Sequence, residues 1–124
     1  TNVSDKPVEP DVSFHPEFFT QHETPEIYLC KDGKWAKQEG RTERKSAKVD
    51  GESRIAFHLP ACKNTLICTF DPKEVDSVSW FYSTSGENPH CNLEFSAKTG
   101  PLKPKEKLAL HGTYTILRGK PLGM

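Results

Sequence analysis

Ten prolines and eight glycines are spread through the 124 residues. Nowhere between them does an apolar group recur at three and four positions over the roughly 11–18 residues of a surface helix. Proline removes a backbone donor and clashes with the preceding turn, so this punctuation works against long helices. Strict alternation remains. Glu26 to Cys30 alternates, with Ile27 and Leu29 on one side and Tyr28 and Cys30 on the other. Asp32-Gly33 closes that run as a tight turn. Arg54 to Leu59 places Ile55, Phe57 and Leu59 together before Pro60, and Thr65 to Phe70 aligns Leu66, Cys68 and Phe70 before Asp71-Pro72. Val75 to Tyr82 aligns Val78, Trp80 and Tyr82, and Cys91 to Ala97 aligns Cys91, Leu93 and Phe95. Lys107 to Leu117 closes the series, with Leu108, Leu110, Tyr114 and Ile116 inward. Short strands at about ten-residue spacing, with turn residues between, predict an all-β antiparallel sandwich or barrel.

Length allows one domain. Residues 1–25 hold Pro7, Pro10, Pro16 and Pro25 without a lasting period, and predict an extended acidic arm ahead of one sandwich domain over 26–124. Phe14, Phe18 and Phe19 are costly to leave in water, so part of the arm is expected to pack on the body or on a partner. Residues 37–53 are charged and suit an exposed hairpin or loop, and 83–89 is a loop of Ser, Thr, Gly, Asn and Pro. No apolar run approaches the ~18 residues of a membrane span, and no secretory leader is visible, so a mature or trimmed chain is expected.

The cysteines are Cys30, Cys62, Cys68 and Cys91. An even number in a small domain with a thin core predicts two disulfides and an oxidising, extracellular setting. Three connectivities are open. Cys62 and Cys68 flank only five residues and are not expected to pair with each other. The spacing lacks a C-x2-C element and does not describe a zinc site, so neither metal nor cofactor is expected. Asn2-Val3-Ser4 fits the N-glycosylation acceptor.

Seventeen basic and seventeen acidic residues cancel, which removes the field that would gather nucleic acid. The cancellation is made of blocks. Residues 1–30 carry six acids and one base, 31–50 seven bases and four acids, 51–97 three bases and six acids, and 98–124 six bases and one acid. The basic blocks comprise Lys31, Lys34, Lys37, Arg41, Arg44, Lys45 and Lys48, then Lys98, Lys103, Lys105 and Lys107. Either the acidic arm folds onto a basic block, or a basic face meets an acidic partner.

Catalytic patterns are absent: no Gly-x-Ser-x-Gly, no His-Glu-x-x-His, no phosphate loop. Ser83, Ser85, His90 and Asp76 supply the residue types of a hydrolase set, without a spacing that singles them out.

Leu66-Ile67-Cys68-Thr69-Phe70 followed by Val78-Ser79-Trp80-Phe81-Tyr82 resembles strands B and C of an immunoglobulin-like domain, with a core Trp twelve residues after the B-strand Cys. His111-Gly112-Thr113-Tyr114-Thr115-Ile116 is similar to the Gly-x-Tyr-x-Cys corner of that family, with Ile116 where the second Cys would stand. The resemblance covers roughly residues 62–116. It implies an immunoglobulin-like sandwich with Trp80, Tyr114, Leu66, Phe70 and Phe95 in the core, and Cys68 paired with Cys91 or Cys30. It also implies a non-catalytic extracellular module that binds another protein through loops or a sheet face. Contact candidates are Trp35, Phe81, Tyr82, Asn88, His90, Lys103, Lys105 and Lys107. The competing expectation is a small secreted enzyme or an enzyme inhibitor presenting the 83–90 loop.

Overall fold

A computed structural model describes residues 1–20, 22–39 and 45–124. Among these residues there is no helix. The strands are β1 (Ser13–Phe14), β2 (Glu17–Phe19), β3 (Glu26–Lys31), β4 (Lys34–Gln38), β5 (Lys45–Lys48), β6 (Glu52–Leu59), β7 (Asn64–Phe70), β8 (Val75–Ser83), β9 (His90–Ala97) and β10 (Gly112–Arg118). They form two antiparallel sheets packed as a sandwich. The first runs β4-β3-β6-β7-β10, and the second runs β5-β8-β9, with β1 and β2 both pairing along β9.

Local chemistry sets these elements. Asp32 and Gly33 both take positive φ, 50° and 76°, as a two-residue turn must to match the twist of β3 and β4. After β7, Asp71 Oδ1 accepts from the Lys73 amide at 2.8 Å, and the Asp71 carbonyl accepts from Glu74 and Val75. That closed turn carries the chain from the first sheet to the second. The alternation then buries one face of each strand. Ile27, Ile55, Phe57, Leu66 and Phe70 meet Val78, Trp80, Leu93 and Phe95 in one core. Lys45, on edge strand β5, stands 5.9 Å from the Trp80 ring. A half-buried lysine there discourages further strands from pairing with that edge.

Four expectations change. Residues 13–19, predicted as arm, are edge strands: Phe14 pairs with Phe95, and Phe18 with Cys91. The earlier residues lie on the basic connection, where Val8 and Leu102 exchange backbone hydrogen bonds and Asn2 pairs with Lys105 and Glu106. The acidic arm therefore folds onto one basic block.

The strands carrying Cys68 and Tyr114 lie in facing sheets in the immunoglobulin order. Here β7 and β10 are hydrogen-bonded neighbours, with Tyr114 beside Cys68. The Tyr114 hydroxyl reaches across the core to the Leu93 carbonyl at 3.2 Å, instead of bonding back along its own chain.

None of the four cysteines is bonded. Alternation explains one exclusion: Ile27 and Leu29 face the core and Tyr28 faces outward, so Cys30 points away from the core face that holds Cys68. Burial pushes the Cys68 thiol up to about 11, against a smaller lowering by Tyr114. Burial also pushes the Cys91 thiol up to about 12.

Ile116, expected inward, is 71% exposed. It sits on the inward side of β10 where the two sheets part.

Candidate functional site

The outward face of the second sheet gathers the sequence candidates. Trp80 and Tyr82 pack into the core, so alternation turns Phe81 outward. Its ring lies 5.6 Å from that of His90. Next to His90 on the other side is Phe19, its register partner in β2. Phe18 packs on the core, which leaves Phe19 outward and 76% exposed. An aromatic row, Phe81–His90–Phe19, thus crosses three neighbouring strands. The Asn88 carbonyl accepts from His90 Nδ1 at 2.8 Å, which fixes the ring and ties the 83–89 loop to the row. The structure brings Phe81, Asn88 and His90 together on one face and places Tyr82 inside.

Other candidates stand apart. Trp35 lies on the outer face of the first sheet, packed with Tyr28, Ala56, Ile67 and Met124. The Arg54 guanidinium sits 5.3 Å above its ring, so its own chain already covers it. Lys103, Lys105 and Lys107 are exposed in the connection before β10. Arg41 and Arg44 lie outside the described residues. Asn2 is 5% exposed, and its Nδ2 donates to the Lys6 and Leu102 carbonyls, each at 2.8 Å. A glycan on that nitrogen would replace one of its two N–H donors and so remove at least one of these bonds.

The residues of the hydrolase set do not converge. Asp76 and Ser83 lie at opposite ends of β8, about 23 Å apart along an extended strand. The Ser83 hydroxyl donates to the Ser85 carbonyl. His111 pairs with Glu74 at 3.0 Å. His58 Nδ1 lies 2.9 Å from the Thr65 hydroxyl, and that hydroxyl gives its own proton to the Gly119 carbonyl. The imidazole is therefore the donor, a structural bond that leaves Nδ1 no lone pair for a metal. Among the described residues no group of His, Cys, Asp and Glu is arranged to hold a metal.

Where β2 ends and the sheets part, a cavity of about 260 Å³ opens between them. Phe57, Leu66, Cys91 and Thr20 form its buried floor, while exposed Phe19 and Ile116 stand at its mouth. No local pattern signals it, because its walls come from five separate strands, the residue after β2 and Cys62 in the β6–β7 turn.

No protein-family model and no curated protein matches the sequence. In fold the chain is similar to the Slr1438 protein from Synechocystis sp. PCC 6803, with a TM-score of 0.60 at 13% sequence identity. The alignment covers 94% of this chain and 47% of that one, so the chain spans about half the length of that structure. At this identity the likeness is one of fold alone.

Proposed function

We propose that this chain is a non-catalytic module that binds another protein through the outward face of its second sheet. The observation that carries the proposal is the aromatic row. Phe19 is 76% exposed beside the Phe81–His90 pair, on a face held rigid by strand pairing. Ordered aromatics bury large area on contact at small entropic cost, which is why they dominate protein interfaces. The strand order departs from the immunoglobulin arrangement, so the reading rests on this aromatic face and not on that resemblance. The face itself is read from this chain's own residues. The proposal is confined to binding, since an oxidising compartment would rest on bonded cysteines.

The test immobilises the domain and recovers proteins from cell extract and, separately, from extracellular fluid, comparing wild type with Phe19→Ser/Phe81→Ser. A protein retained by wild type and lost by the variant supports the reading. Retention unaffected by the variant, or recovery no greater than on blank resin, overturns it.

A further inference from the structure

We infer that the cavity between the sheets is a binding site for a small, uncharged amphiphile: a medium-length hydrocarbon with one alcohol or ketone group. Three observations define the occupant. The first is size. The cavity is about 260 Å³. An apolar cavity of roughly 150 Å³ holds benzene, so proportion gives about ten non-hydrogen atoms. The second is charge. Among the described residues no charged side chain lines it, and the Glu23 carboxylate holds the Ala61 and Cys62 amides near the Cys62 side of its wall. A carboxylate ligand would enter without a cation to meet it and would face that negative charge. The third is an unmet hydrogen bond. Thr20 is 2% exposed and lines the cavity, yet its Oγ1 has no partner among the described residues. A buried hydroxyl without a partner is costly. A ligand oxygen in the cavity would relieve that cost, by accepting from Thr20 or by donating to it.

The geometry also supplies an entrance. Phe19 at the end of β2 and Ile116 on β10 are both exposed, and each belongs to an edge strand of its own sheet. An alkyl chain can pass between them without breaking a strand pair. The Thr20 backbone is held by the Pro89 carbonyl and by the Glu23 amide, so the hydroxyl is anchored at the site rather than carried on a free segment. Phe19 borders both this cavity and the aromatic row, and is left unchanged in the test.

The experiment titrates the protein with octan-1-ol, following backbone amide shifts. Octanoate and n-octane serve as the charged and the apolar comparison. Saturable shifts at Thr20, Leu66 and Cys91 are expected with octan-1-ol, and much weaker ones with octanoate. Thr20→Val keeps the shape and removes the hydroxyl. It should weaken octan-1-ol by about three- to tenfold, the worth of one neutral hydrogen bond, and leave n-octane binding unchanged. Slower alkylation of Cys62, which lines the same cavity, gives a readout on the wild-type protein alone. Absence of saturable shifts at those amides, octanoate binding as tightly as the alcohol, or Thr20→Val binding the alcohol as wild type does would each overturn the assignment. Phe81→Ser should bind octan-1-ol normally, which separates failure of this site from failure of the protein-binding face.

Discussion

Gly112 and Phe95 occupy the same space: a Cβ at position 112 would overlap the Phe95 ring. The ring cannot yield. It is 2% exposed and packed by Phe14, Phe70 and Tyr114 at centroid distances of 5.6, 6.0 and 6.3 Å. Glycine at 112 is therefore required by packing across the sheets. Gly112→Ala should destabilise the domain by about 1–3 kcal/mol, as overpacking does, and Phe95→Leu in that background should recover part of the loss. Chemical denaturation of the two single variants and the double variant measures the coupling. Equal stability of Gly112→Ala and wild type would place the ring elsewhere.

Trp80 is 1% exposed at the centre of the second sheet, and its Nε1 has no partner among the described residues. Trp80→Ala should cost about 3–5 kcal/mol. Trp80→Phe should cost less, because it also removes a buried donor that no described residue accepts. Guanidinium melts order the three proteins. A Phe variant as unstable as the Ala variant would mean that the indole nitrogen contributes to stability.

What the sequence reveals depends on whether a signal is local. The alignment of Val78, Trp80 and Tyr82 is written in alternate letters of one strand, and the structure turns all three inward. The Asp32-Gly33 turn is equally local. Partner choice between strands is not. Gly112-x-Tyr114 reads as a corner only if its strand lies in the sheet facing Cys68, whereas β10 pairs with β7 and sets Tyr114 beside Cys68. The cavity is further still from local pattern. Thr20 is an ordinary residue until Phe57, Leu66 and Cys91 arrive from other strands and leave its hydroxyl without a partner among the described residues. Ile116 follows the inward pattern correctly, and its exposure arises because the facing strand β2 has already ended.

The thiols should separate by access. Cys62 is exposed, and Cys30, Cys68 and Cys91 are buried. Only the thiolate reacts, and burial pushes the Cys68 and Cys91 thiols up to about 11 and about 12, so they stay protonated at mildly basic pH. Alkylation of native protein at such a pH should modify Cys62 quickly and the other three only as the domain opens. Denatured but unreduced protein should then take up all four labels. Fewer labels without reductant would reveal a bond, support an oxidising compartment, and force a different arrangement of the β6–β7 turn or the core.

Glu26 ties the chain's last residues to the first sheet, and it does so only as a carboxylate. Lys120 Nζ lies 2.7 Å from Oε2, Lys37 Nζ 2.9 Å from Oε1, and the Tyr28 hydroxyl donates to Oε2 at 2.7 Å. Lys120 first, then Lys37 and Tyr28, lower the Glu26 carboxyl from 4.5 to about 2. The sign follows from linkage. A carboxyl that holds its proton less tightly when folded contributes stability that is fully present above its unfolded value. That contribution is lost as pH falls from about 4.5 toward 2. Wild type should therefore lose stability across that window more steeply than Glu26→Gln, which has no proton to gain there. The variant should also loosen residues 120–124, where Lys120 sits 5.0 Å above the Tyr28 ring and Met124 packs on the outer cluster. Parallel acid-unfolding curves for the two proteins, or a Glu26 carboxyl titrating at an ordinary midpoint by NMR, would show that the two lysines are solvated instead of bound to it.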